Sequence, residues 1–216
     1  MTVLTGAECI TKFINMVDDE LDTDYMYQLL NDAKDEVESL QVWEYLKKEY
    51  TFTRSSGDTV DTTYALPTPT GGTFYIPISM YDPSYVEYNL IPLEQRMLWQ
   101  NSTLAYYVDY SAGYIHFTGV AGATVTMHLF YQMYSDDISS GTSWSFPSKF
   151  HSILPLKMAQ MYYASDGGEK SSSWDDRWGV YYEQKLNQMQ LWDSQLKLKA
   201  RGKTRQSQYN PKGVNF

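Results

Sequence analysis

Cysteine is almost missing from this chain. Cys9 is the only one, so neither an internal disulfide framework nor a cysteine-rich zinc site can be assembled. Histidine is scarce too: His116, His128 and His151 have no Cys or second His at metal-ligand spacing. Long apolar runs are absent, and none approaches the roughly 20 residues that a membrane-spanning helix needs. The opening Met-Thr-Val-Leu-Thr-Gly-Ala-Glu lacks the basic and apolar regions of a secretion signal, so the expectation is a protein made in a reducing cytoplasm. Basic residues are outnumbered, 17 against 26 acids for a formal net charge of −9, which argues against nucleic-acid phosphates as the main ligand. There is no Gly-x-Ser-x-Gly elbow, no phosphate loop and no dinucleotide-binding Gly-x-Gly-x-x-Gly. The chain is therefore expected to have no catalytic residues, no metal and no cofactor.

Aromatic residues, by contrast, are plentiful. They make up 16% of the 216 residues, with 20 Tyr and 6 Trp, and such side chains suit wet protein–protein contacts and sugar-binding faces. Charge is unevenly placed. Residues 1–50 carry twelve acids against Lys12, Lys34, Lys47 and Lys48, whereas from Gln195 onward there are only bases. An acidic head and a basic tail invite contact with a partner or with another copy of the chain.

The hydrophobic period divides the chain. Thr5-Gly6-Ala7-Glu8 has the form of a capping box, followed by Ile10, Phe13, Ile14 and Val17 at helical spacing. A second helix is predicted from Asp22 or Asp24 to about Glu49. Its apolar residues run from Met26 through Leu30, Ala33 and Val37 to Trp43 and Leu46, with Asp32, Asp35, Glu36 and Glu38 on the other side. Then the period falls to two. Phe74, Ile76, Ile78 and Met80 alternate with Tyr75, Pro77 and Ser79, and strands around 104–110, 114–118 and 125–133 are joined by short Gly-containing turns, which predicts a meander. Ser55–Gly72, rich in small residues and Pro, reads as an exposed loop. Helices resume at Pro147–Ala164, Asp166-Gly167-Gly168 stops them, and Ser171–Ser173 caps a last helix with the stripe Trp178, Tyr182, Leu186, Met189, Trp192 and Leu196.

Two local patterns fail as sites. In Asp18-Asp19-Glu20-Leu21-Asp22-Thr23-Asp24 a calcium loop would need Gly where Tyr25 stands and Glu where Asn31 stands. These acids suit an interhelical turn. Asn101-Ser102-Thr103 matches the glycosylation pattern but has no export signal to give it meaning. The tail is different: Lys197, Lys199, Arg201, Lys203 and Arg205 supply charge, and Tyr209, Pro211 and Phe216 supply apolar anchors, which together suit docking onto an acidic partner.

The order of these features resembles the head-to-tail adaptor (connector) proteins of tailed bacteriophages. The likeness lies in the N-terminal helix pair, Thr-Thr-Tyr-Ala-Leu-Pro at 62–67, Tyr-Ile-His-Phe at 114–117 and Thr-Met-His-Leu-Phe-Tyr-Gln-Met-Tyr at 126–134. It continues in Phe-Pro-Ser-Lys-Phe-His-Ser-Ile-Leu-Pro-Leu-Lys-Met-Ala at 146–159 and in the helix bearing Trp174, Trp178, Tyr181, Tyr182 and Glu183. The resemblance implies a non-enzymatic structural protein of the virion neck, between capsid and tail, that forms a ring of about twelve copies. Its implied partners are other copies of itself, the portal protein and downstream tail or nozzle proteins, with packaged DNA passing through without specific binding and no membrane involved. Lys197, Lys199, Arg201, Lys203, Arg205, Tyr209, Pro211 and Phe216 would then be the portal-docking residues.

The expected fold is α+β. A mainly α-helical body (N-terminal helix pair plus two C-terminal helices, residues 1–49 and 141–200) carries an antiparallel β insertion at 50–140 and an extended basic C-terminal tail at 201–216. The competing reading is a carbohydrate- or receptor-binding tail module, supported by the aromatic count. Burial of Trp178 and Trp192 in a helix core would weaken that reading.

Overall fold

The computed structural model describes residues 4–19, 21–139, 145–165 and 171–208, with the side chains of 171–177 and 200–208 left aside. The chain divides into two compact units, Met1–Tyr45 with Asp137–Phe216, and Leu46–Asp136.

The first unit holds the helices α1 (Gly6–Val17), α2 (Thr23–Ser39), α3 (Ile153–Ser165) and α4 (Ser171–Gln208). The capping box forms as the sequence requires: the N–H of Glu8 donates to the Thr5 hydroxyl at 3.2 Å, and Glu8 accepts from the Thr5 N–H at 2.7 Å. Asp22 caps α2 by accepting from the N–H groups of Asp24 and Tyr25. Helix α3 is apolar around most of its circumference, with Ile153, Leu154, Leu156, Met158 and Ala159 buried. It accordingly packs against α1, α2 and α4. Pro155 lies in its first turn, where a missing N–H breaks no helical bond. Tyr182, Leu186 and Met189 of the expected α4 stripe are buried.

Helix α2 ends ten residues before the predicted Glu49. The period of three and four continues through Trp43 and Leu46, but the chain turns back: the Trp43 indole N–H donates to the Val37 carbonyl at 2.9 Å and occupies a helix-end acceptor. Glu38, expected on the outer face, is buried, and the Tyr45 hydroxyl donates to it.

The second unit is a seven-stranded sheet: β1 (Lys47–Arg54), β2 (Thr63–Ala65), β3 (Gly72–Tyr81), β4 (Glu87–Leu90), β5 (Ala105–Asp109), β6 (Tyr114–Phe117) and β7 (Val125–Ser135). Their order is β1-β7-β3-β4-β5-β6-β2. The pairings are antiparallel except β4 with β5, which run parallel in the register Asn89↔Ala105. Strand β1 lies against β7 from Lys47↔Gln132 to Arg54↔Val125. Phe52 of β1 and Tyr64 of β2, on the two terminal strands of the order, have ring centroids 4.9 Å apart. The sheet is thus a nearly closed, barrel-like structure. Met80, Tyr106, Ile115, Phe117, Met127 and Leu129 fill its core. Arg54, also buried, stacks over the Phe117 ring at 4.0 Å and donates to the carbonyls of Gly119 and Thr103.

This corrects the expected fold class. With 41% helix and 25% strand the chain is not a mainly helical body, and its sheet is mixed rather than antiparallel. The parallel pair arises because residues 91–104 form a crossover long enough to return the chain in the same direction. The expected meander also fails: β6 pairs with β5 and β2, while β7 pairs with β1 and β3. Part of the Ser55–Gly72 loop is strand β2, and register shifts in β3 bury Pro77 and leave Ile78 exposed. The tail is not extended from 201, since α4 continues to Gln208. The stop expected at Asp166-Gly167-Gly168 lies outside the described residues.

Candidate docking surfaces

The basic end of α4 is built from the inside outward. Asp193 has no exposed side-chain surface and accepts from the Glu44 N–H at 2.7 Å and from Gln41 Nε2 at 3.3 Å. One turn later Lys197 pairs with Asp193 at 2.6 Å and donates to the Val42 carbonyl at 2.8 Å. Lys197, expected to dock a partner, thus ties residues 41–44 to α4. Lys199 is exposed. Sequence reasoning missed Lys149, whose ammonium lies 4.2 Å from the Trp192 ring centroid and 4.9 Å from that of Phe150. Its pKa is lowered by partial desolvation first and by the charge of Lys199 second. A lysine within Phe-Pro-Ser-Lys-Phe carries no linear signal that folding will bring it to α4.

Arg201, Lys203 and Arg205 lie on the helical backbone of α4, with Lys197, Arg201 and Arg205 following one row at steps of four. Tyr209, Pro211 and Phe216 lie outside the described residues. Trp192, whose packing bears against the carbohydrate-binding reading, lies between Tyr45, Phe150 and Lys149.

The acidic side of this unit is partly consumed by structure. Lys34 is buried and pairs with Asp35 at 3.2 Å and Asp137 at 3.5 Å, and Lys157 pairs with Glu36 at 2.5 Å. Asp18, Asp19, Asp22, Asp24 and Asp32 remain exposed, although Asp19 accepts from the Tyr162 hydroxyl and Asp22 is the α2 cap.

The barrel unit presents apolar surface of its own. Met97, Leu98 and Trp99 follow one another in the crossover, with Leu98 84% exposed, which is more than a solitary surface leucine requires. In the same unit a groove of about 550 Å³ is lined by Leu90, Pro92, Leu93, Val108 and Tyr110, with Glu94 and Asp109 as its charges. The tyrosines separate by environment: Tyr106 is fully buried, and burial pushes its phenol well above the ordinary value, whereas Tyr85, Tyr110 and Tyr114 face outward.

The histidines have neighbours that account for their positions. His116 stacks on Tyr107 with rings 4.8 Å apart, and burial lowers its pKa. His128 contacts Glu49 at 2.6 Å, and the buried His151 ring bridges the carbonyls of Leu4 and Phe146. Among the described residues no group of three or more His, Cys, Asp or Glu could hold a metal ion. No described helix is long and apolar enough to cross a membrane.

A family model described as SU10 adaptor protein matches residues 4–210, and the chain belongs to that family of phage head-to-tail adaptors. Membership makes it a structural component of the virion that interacts with other virion proteins, and implies a non-enzymatic role. No curated protein matches the chain significantly.

Proposed function

We propose that the protein stands in the virion neck as a ring of about twelve copies beneath the portal, extends the DNA channel and offers the attachment site for downstream tail or nozzle proteins. The observation that carries this reading, beyond family membership, is the one-signed end of α4. Lys149 and Lys199 lie together there, and the chain beyond Lys199 holds bases and no acid. Such an end is suited to an acidic portal surface and is repelled by a basic one. Since Lys197 is held by Asp193, docking falls to Lys199, Arg201, Lys203 and Arg205, with Tyr209, Pro211 and Phe216 as anchors.

Native mass spectrometry of the chain mixed with the portal protein of the same virus tests the proposal. A complex with about twelve copies per portal, lost on deletion of residues 201–216, is the expected result. Monomers that ignore the portal would overturn it.

A further inference from the structure

The side of α4 turned away from its core is unusual for this protein. Between Glu183 and Lys199 every exposed position is Gln, Asn, Ser or Leu; Lys185, Asp193 and Lys197 are half-buried or buried there, and the exposed Glu183 borders the face. Soluble surfaces ordinarily hold about a quarter to a third charged residues, and this chain spends 43 of its residues, 17 basic and 26 acidic, on charge. The apolar members are aligned rather than scattered. Val180, Gln184, Asn187, Leu191, Ser194 and Leu198 step by four and three, the spacing of a seam along one side of a helix. Val180 is 56% exposed, and Leu191 and Leu198 are each 66% exposed. Leucines that far out and one heptad apart have an unfilled contact in the single chain.

We infer that this seam is a contact between neighbouring copies of the protein, an inference that rests on the ring reading above. Charge selects the occupant. Two copies of net charge −9 repel each other, and the penalty is least where neither acids nor bases line the meeting surface. A basic partner would instead be drawn to the exposed Asp18, Asp19, Asp24 and Asp32, and an acidic one to the end of α4. The uncharged seam recognises neither by charge and suits a second copy, whose approach is opposed wherever acids would face acids. The amides of Gln184 and Asn187 would fix register, since an amide in such a seam needs a partner across it. From Val180 to Leu198 the seam spans about 27 Å at 1.5 Å per residue. A strip of that length and about 10 Å of width is smaller than the roughly 800 Å² per partner of a stable pair. The contact is accordingly weak between two free copies and becomes effective when the portal holds neighbours side by side.

The test uses the full chain and its portal. Leu191→Glu with Leu198→Glu places two acids on the seam, and because both side chains are already exposed the variant should keep the wild-type circular dichroism spectrum. Native mass spectrometry is expected to show about twelve wild-type copies per portal and a broad distribution of fewer copies for the variant, because single copies still dock through their tails. A second measurement does not depend on that variant. Leu191→Cys gives one accessible thiol, Cys9 being buried with its pKa pushed up to about 12, and its alkylation should slow at least tenfold when the ring assembles. Full rings of the double variant, or unchanged alkylation at position 191, would overturn the seam while leaving the ring reading intact. Absence of a wild-type ring would overturn both.

Discussion

Asp193 sits one turn before Lys197 on α4, and its fully buried carboxylate reaches the backbone N–H of Glu44 at 2.7 Å. That single acceptor serves the sharp segment 41–44, where the chain leaves α2 and the Trp43 indole folds back on Val37. Removing it leaves the Glu44 N–H and the Gln41 amide short of an acceptor, and unsatisfied buried donors cost more than the bond itself contributed. Asp193→Ala is expected to lower the stability of the first unit by about 2–4 kcal/mol, read from the urea midpoint at neutral pH. Asp193→Asn keeps an oxygen for Glu44 and should lose about half as much. An unchanged midpoint for Asp193→Ala would mean that the turn holds without its acceptor. Lys197 lies outside this penalty, because a third of its side chain is open to water and the Val42 carbonyl still accepts from it.

At the scale of elements, the start of α1 makes a prediction with a definite sign in pH. Glu8 accepts the Thr5 N–H, with the Thr5 side chain a lesser cause, and its carboxyl is held below the ordinary 4.5. A carboxylate with a depressed folded value stabilises the fold above 4.5, and that contribution fades as pH falls through the lower folded value. The thermal midpoint of Glu8→Ala should therefore lie below wild type at pH 7, with the gap closing steadily under pH 4.5. A gap constant across this range would remove the carboxylate from the cap. This start was legible because a capping box is local: Thr5 and Glu8 are three residues apart and need nothing else. The inward stripe of α4 was legible for the same reason, as a period within one element. The end of α2 was not, because Trp43 and Leu46 keep the helical period while their burial is decided by contacts made after the turn. Strands β2 and β4, of three and four residues, offer too few positions for alternation to register. The parallel β4–β5 pairing depends on how the crossover packs, which no spacing in the sequence reports. The docking end divides in the same way, since Lys199 stands in an acid-free run that can be read directly, whereas Lys149 joins it only through the fold.

For the whole molecule, 26 acids against 17 bases set what can pass along its surface. Duplex DNA binds proteins largely by exchanging condensed counterions for Lys and Arg, so affinity needs several cations presented together and falls steeply with salt. Here the exposed acids Asp18, Asp19, Asp24 and Asp32 oppose that exchange, and two of the bases, Lys34 and Lys157, are buried and paired. A neck that extends a DNA channel benefits from this balance, since fixed cations along the wall would hold phosphates and stall transit. The purified chain is expected to leave a random-sequence duplex unretarded in a native gel at about 150 mM salt. Asp24→Lys with Asp32→Lys adds two to the charge at each site, moving the net from −9 to −5, and should produce retardation that disappears as salt rises. Asp22 still caps α2, and a lysine in place of Asp24 in its first turn should cost the fold only about 1 kcal/mol. Salt-sensitive retardation by the wild type would show that the bases from Lys197 onward dominate the surface potential. In that case the net charge of −9 would not keep phosphates off the surface, and the channel reading would lose that support.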